Sequence, residues 1–359
     1  MMINQAPVEI ARLRLASQHL THTPFRSPAA LLNHMGGIQA QDLPMSKWAI
    51  GIRIPGITEA EVENAMNQGE ILRTHVMRPT WHWVSAENIH WMLDLTRVHL
   101  QRQSGSWNAA LGLSPDILTR SIDILLAAIS ENEYQTRDEL VSCLQAANID
   151  TSANRVSHIL MEAEFEKLIC SGPILKNKQT YALFSDRAGK NPRISREEAL
   201  AKLAGMYFSS HGPATLADFV WWSGLPVTDA RKGLESIQNT LGTCQFNQEN
   251  YWFTEENIPA VIPKSDHFFL PAFDEYIISY KSKHIVIPDH HLRKAVSDNG
   301  IFRPVIIKDG QVTGLWRKVK TKNKTEIDIS LFTENKKQET QIRKCFQFDL
   351  AFWGQSLIL

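Results

Sequence analysis

What this sequence has little of narrows the field before any motif is read. Its four cysteines, Cys143, Cys170, Cys244 and Cys345, form no CxxC pair and stand far apart. That spacing indicates neither a zinc site nor a disulfide framework, so they read as reduced thiols and no metal is expected. No run approaches the roughly 18 uninterrupted apolar residues of a membrane helix, and the opening residues lack the basic-then-apolar order of a secretion signal. A cytoplasmic protein without a membrane partner is expected. An excess of either charge is missing too, since 38 Lys plus Arg balance 38 Asp plus Glu. This argues against a surface that coats nucleic acid indiscriminately. The balance is not uniform: Lys281 to Cys345 holds 15 basic against 7 acidic residues, an excess of +8 that leaves −8 on the rest. A basic C-terminal part on an acidic body can hold a polyanion by one face. A solvated strand surface decorated with lysine gives the same count.

What is there is a repeated order of elements. At 359 residues the chain is too long for one ordinary core. Val8 to Leu20 carries apolar residues at helical spacing, and Ser27-Pro28 starts a second helix that ends at Gly36-Gly37. Thr58-Glu59-Ala60-Glu61 is a capping box for a helix to Asn67, and Ile71 to Val84 then reads as paired strands turned near Pro79. A second copy follows: a helix from Pro115 to Ser130, a capped helix from Thr136 to Ala147, a longer one capped by Thr151 or Ser152, and a hairpin from Leu168 to Phe184 turned at Lys176-Asn177-Lys178. After a polar linker, Ser185 to Pro192, helices over Glu197 to Phe208, Thr215 to Trp222 and Thr228 to Gln238 precede a hairpin from Thr243 to Phe253.

Beyond that, His267 to Tyr280, Ile301 to Ile307, Gln311 to Trp316 and Thr325 to Phe332 read as strands. One short helix lies near His290 to Ser297, and Phe346 to Leu359 is a last helix or strand. The expected fold is α+β, with tandem winged-helix (helix-turn-helix) units at 1–112, 113–190 and 191–262 followed by a small C-terminal β-barrel at 263–359. Winged helices usually grip duplex nucleic acid, and three unequal copies in one chain suggest a monomeric clamp on double-stranded DNA. Asn154, Arg155 and His158, polar on the longer helix of the second unit, fit phosphate or base contact and equally a plain solvated face.

The candidate site is Gly36-Gly37-Ile38-Gln39-Ala40-Gln41-Asp42-Leu43-Pro44, a glycine-flexed turn between two apolar helical runs. In an irregular backbone, residues two apart point the same way, so Gln39 and Gln41 can converge on one ligand. They can also merely satisfy backbone groups near a helix start, which Asp42 caps. Asp274-Glu275 would face opposite ways on a strand, so one carboxylate is expected to be buried, bonded to Arg303 or Trp316, rather than to act as half of an acid/base pair. His290-His291 lacks further ligands at metal spacing.

Four blocks carry a resemblance. Ile38-Gln39-Ala40-Gln41-Asp42, the run Leu72 to Val84 (LRTHVMRPTWHWV), Leu270-Pro271-Ala272-Phe273-Asp274-Glu275-Tyr276 and Gly300-Ile301-Phe302-Arg303-Pro304-Val305 together resemble the AlkZ/YcaQ-type winged-helix superfamily. They span nearly the whole chain in order; one departure is Pro79, where many relatives have glycine. The resemblance implies a monofunctional DNA glycosylase acting on alkylated or crosslinked bases, without metal or organic cofactor. Its Gln-aliphatic-Gln motif falls on Gln39 and Gln41 as catalytic residues, with Asp42 as helper base or cap. A base alkylated on a ring nitrogen is already cationic and leaves without a proton donor, so two amides that orient water and polarise the sugar suffice. Arg78 and His82 in the first wing, with Arg73 and His75 behind them, are then the groups expected to reach DNA. The competing reading is a non-catalytic winged-helix DNA-binding protein or transcriptional regulator.

Overall fold

The computed structural model describes residues 7–176, 178–190, 193–257, 267–320, 325–333 and 336–354. Asn177 of the expected second hairpin turn, the expected unit boundaries at 191 and 263, and residues 355–359 of the last expected element lie at or outside the limits of these stretches.

Helix α1 (Pro7–Ser17) leads into α2 (Pro28–Met35), where Ser27 accepts the Ala30 amide and proline opens the first turn. Gly36, at φ 75°, closes α2 and turns the chain into β1 (Ile38–Gln39). Then come α3 (Leu43–Gly51), α4 (Glu59–Asn67) behind the Thr58/Glu61 capping box, and the hairpin β2 (Ile71–His75) and β3 (Trp81–Ser85). The sheet order is β1-β3-β2, with Gln39 opposite His82. A 22-residue helix, α5 (Ile89–Ala110), leads onward.

The same wiring recurs. In the second unit α6 (Pro115–Asn132), β4 (Gln135–Thr136), α7 (Arg137–Ala146), α8 (Arg155–Phe165), β5 (Ile169–Leu175) and β6 (Lys178–Leu183) give the sheet β4-β6-β5. The cap of α8 is Asn154, not Thr151 or Ser152, because Asp150 turns back onto the Ser152 amide and delays the helix. Part of the expected linker is the single helical turn α9 (Phe184–Arg187), docked by buried Phe184. The third unit holds α10 (Arg196–His211), α11 (Leu216–Ser223), α12 (Val227–Ile237) and the hairpin β7 (Gly242–Phe246) and β8 (Glu249–Phe253). There a bridge from Ala214 to Trp252 replaces the short first strand.

The C-terminal part departs from expectation. Only β9 (Phe268–Leu270) of the expected strand from His267 to Tyr280 forms. The Asp274 side chain accepts the Tyr276 amide and starts α13 (Glu275–Ile278) instead, because a carboxylate at that position caps a helix. After α14 (Asp289–Ala295), strands β10 (Val305–Lys308), β11 (Gln311–Lys320) and β12 (Thr325–Leu331) complete an antiparallel sheet in the order β12-β11-β10-β9, and α15 (Lys336–Asp349) follows. The sheet is open; no closed barrel forms among the described residues. Four strands with a three-residue edge leave too few to curl shut.

The units are not separate beads. Trp48 and Trp83 of the first unit share a core with Phe269, Trp316 and Phe346 of the C-terminal part. Trp48 Nε1 donates to the Phe269 carbonyl at 2.7 Å. Leu72 and Val84 pack with Leu200, Tyr207 and Trp222 of the third unit, whereas the second unit keeps its own core around Leu125, Leu140 and Ile159. The β2–β3 hairpin therefore sits where the other parts meet.

Candidate active site

Backbone geometry brings Gln39 inside. It is 4% exposed, in a two-residue strand held to the first wing, and the next amide, Ala40, donates to the Trp81 carbonyl at 2.7 Å. Its side-chain oxygen accepts from Arg78 Nη2 at 2.9 Å. Its main-chain amide donates to Glu275 Oε1 at 2.6 Å, across 236 positions of sequence. Arg78 is placed by close packing: Gly224 caps α11 at φ 68°, and a Cβ there would stand 2.2 Å from the Met77 carbonyl oxygen. No side chain other than hydrogen lets α11 come that near.

Around this pair the protonation states can be worked out. Arg78 Nη2 lies 3.4 Å from His82 Nε2, and a guanidinium only donates, so Nε2 is the acceptor and the ring proton sits on Nδ1. Nδ1 then donates to the Thr80 carbonyl at 2.8 Å. Burial pushes the imidazole down to about 3, with the Arg78 charge adding to the fall, so His82 is neutral at ordinary pH. For Glu275, burial alone would raise the carboxyl, but His211, Arg78 and Ser279 outweigh it and bring it to about 2. Trp222 Nε1 donates to Glu275 Oε2 at 3.1 Å, the Ser279 hydroxyl donates to the same oxygen, and His211 Nε2 stands 3.5 Å from it. Burial lowers His211 below its usual range, with Glu275 opposing. The cluster thus sets a guanidinium beside a carboxylate and two imidazoles whose titrations are all displaced downward.

Other expected site residues are placed elsewhere. Gln41 is exposed, while its neighbour Asp42 accepts the Met45 amide at 3.1 Å as the cap of α3. The two glutamines share the turn but not an environment. Arg73 is 6% exposed, with Nε on the Ala40 carbonyl at 2.9 Å, Nη1 on Gln179 at 2.6 Å and its guanidinium over Trp81. His75 is 5% exposed and paired with buried Glu164 of α8. Both therefore tie the first wing to the second unit rather than facing solvent. Asn154 is exposed at the start of α8, Arg155 pairs with Asp150 at 3.3 Å, and His158 Nδ1 meets Asn108 Oδ1 at 2.9 Å. Of the three, Asn154 alone is open and without a side-chain cap bond.

Glu275, His211, Trp222 and Ser279 carry no local signal that points at Gln39. Asp274 turns to Arg53, not to Arg303 or Trp316, in a fully buried pair with distances of 2.8 and 2.9 Å. A cleft of about 580 Å³ opens between Leu43, Lys47, Glu63, Gln179 and Trp353, and neither Gln39 nor Gln41 lines it. Among the described residues no His, Cys, Asp or Glu cluster of metal-binding size occurs, and no helix is long and apolar enough to cross a membrane.

The site can be set beside known proteins. Residues 32–347 match the family model described as DNA glycosylase AlkZ-like. An interstrand DNA cross-link repair glycosylase of Streptomyces sahachiroi is 27% identical over 324 residues, covering 84% of this chain and 85% of the relative. The solved structure of the Streptomyces sahachiroi DNA glycosylase AlkZ superposes with a TM-score of 0.79 at 22% identity, over 98% of this chain and 97% of that one. The extent of the model match, reaching from α2 into α15, places this chain in the AlkZ-like family of DNA glycosylases.

Proposed function

We propose that the chain is a monofunctional glycosylase that hydrolyses the N-glycosidic bond of alkylated, cationic or crosslinked purines in duplex DNA, working as a monomer. The three repeats of helix, short strand or bridge, two helices and hairpin serve as tandem winged helices. Gln39 and Gln41 orient the attacking water and polarise the sugar; Asp42 acts as the helix cap. The observation that carries this reading is the set of partners around Gln39. Its side-chain oxygen meets a guanidinium, its amide donates to Glu275, and the His82 ring donates its Nδ1 proton to the Thr80 carbonyl, so no general acid is aimed at it. A neutral base would need that acid to leave. A cationic base does not, and then orientation of water is the remaining demand. Arg78 is partly exposed, whereas Arg73, His75 and His82 are buried, which makes its guanidinium the group of the β2–β3 hairpin proposed to meet a DNA phosphate. The test uses duplexes carrying N7-methylguanine or a nitrogen-mustard crosslink, with abasic sites counted. Wild type is expected to release base, and a folded, DNA-binding Gln39→Ala/Gln41→Ala variant to release none. Binding without release from either duplex would sink the proposal and leave a non-catalytic DNA-binding protein.

A further inference from the structure

Glu275 belongs to neither glutamine motif nor wing, yet it is the group that touches the catalytic main chain. It is 0% exposed, and its two oxygens divide their partners. Oε1 takes the Gln39 amide at 2.6 Å; Oε2 takes Trp222 Nε1 at 3.1 Å and the Ser279 hydroxyl. The carboxylate therefore spans three parts of the molecule: β1 of the first unit, α11 of the third, and the C-terminal segment that bears it. A carboxylate with two or more donors is held in one orientation, and a bond from an N–H to an ionised acceptor is about twice as strong as a neutral one.

We infer that Glu275 is a positioning residue of the glycosylase: its charged carboxylate fixes the Gln39 main chain, so that the amide is aimed before substrate arrives. This rests on the proposed activity. Two features argue for a role beyond filling space. An ionised carboxylate buried completely costs more than an apolar side chain of similar volume, so stability alone does not favour it there. Its partners also differ in kind: two fixed donors, Trp222 and Ser279, sit on the oxygen facing away from Gln39, which leaves Oε1 for the turn. The antiparallel pairing of β1 with β3 does not use that Gln39 amide, so without Glu275 a two-residue strand loses its anchor on one edge.

The experiment compares single-turnover base release and DNA affinity for wild type, Glu275→Gln, Glu275→Ala, and the paired-donor variants Trp222→Phe and Ser279→Ala, on the same N7-methylguanine duplex. If wild type itself releases no base, the proposed activity fails and the test of Glu275 moves to the amide of Gln39 in the free protein. Selective ¹⁵N-glutamine labelling should then give a strongly protected, downfield Gln39 amide in wild type that Ser279→Ala weakens; an unprotected one overturns the inference.

With active wild type, Glu275→Gln keeps shape and one acceptor but not charge. It is expected to lose about 30- to 100-fold in rate with affinity for DNA within about twofold, as for misplacement of a reacting group. Glu275→Ala is expected to lose more and to regain rate in formate but not in formamide, since only the anion restores the charge. Trp222→Phe and Ser279→Ala are expected to lose about three- to tenfold each, and they decide the matter if neither Glu275 variant folds. A purely structural carboxylate would instead lower the melting temperature with the rate per folded molecule unchanged. A folded Glu275→Gln at wild-type rate, or equal rescue by formamide, overturns the inference.

Discussion

In the second and third units the residue that pairs with the β-hairpin leads straight into a helix cap, whereas in the first unit Gln41 stands between Ala40, whose amide donates to the Trp81 carbonyl, and the cap Asp42. Thr136 is both the end of β4 and the cap of α7, and Ala214 is followed at once by Thr215, the cap of α11. The insertion of Gln41 loosens the turn enough for one amide to go inward and the next to stay in solvent. The pairing partners differ as well. Gln39 faces His82 and is met by Arg78 and Glu275, while Gln135 faces Tyr181 and spends its amide on the Ala128 carbonyl. One topology thus yields different surroundings for the turn in each copy. The lesson is that surroundings, not wiring, set what a turn of this topology can do.

Cutting what ties the first unit alone to the C-terminal part should have the largest effect. Asp274→Ala leaves Arg53 buried and unpaired, and chemical denaturation is expected to show a loss of about 3–5 kcal/mol. The next test sets equivalent positions against each other: Gln39→Ala is expected to slow base release by about 10²- to 10³-fold, while Gln135→Ala leaves it unchanged. Equal effects would end the distinction between the copies.

Acid should then find the first unit before the second. His82 and His34 are held down, to about 3 and about 4, chiefly by burial, with Arg78 and His19 respectively adding. Their folded values lie below the ordinary 6.5, so the unfolded chain takes up protons first as pH falls. The stability present above pH 6.5 is lost between there and pH 4 to 3, at about 1.4 kcal/mol per pH unit per histidine. Urea titrations at stepped pH measure this slope, and His34→Gln should reduce it. The smallest effect belongs to the start of α8, where Arg155 is partly exposed. Arg155→Ala is expected to weaken DNA binding about two- to threefold for all sequences and to lower the salt slope by about one.

Much of the fold was legible because its signals are short-range. The capping boxes at Thr58 and Thr136, the proline starts of α2 and α6 and the glycine stop at Gly36 act within one helical turn, and each lies where the pattern placed it. Helix α5 was not read from the sequence, and its start carries no side-chain cap bond from Asn88. Asp274-Glu275 misread as a strand for a related reason: the same carboxylate suits a cap or a sheet, and only the buried guanidinium of Arg53 chooses.

The sequence by itself therefore determined the threefold order of helices and hairpins, the glycine turn with its two glutamines, and the cap at Asp42, all through contacts a few residues apart. Tertiary structure alone decided that Gln39 is buried and Gln41 exposed, and that Arg73 and His75 join two units instead of facing solvent. It alone decided, too, that Glu275 closes on an amide 236 positions away. Contacts of that range leave no periodicity in the chain, because what selects them is the burial and charge of groups supplied by other elements.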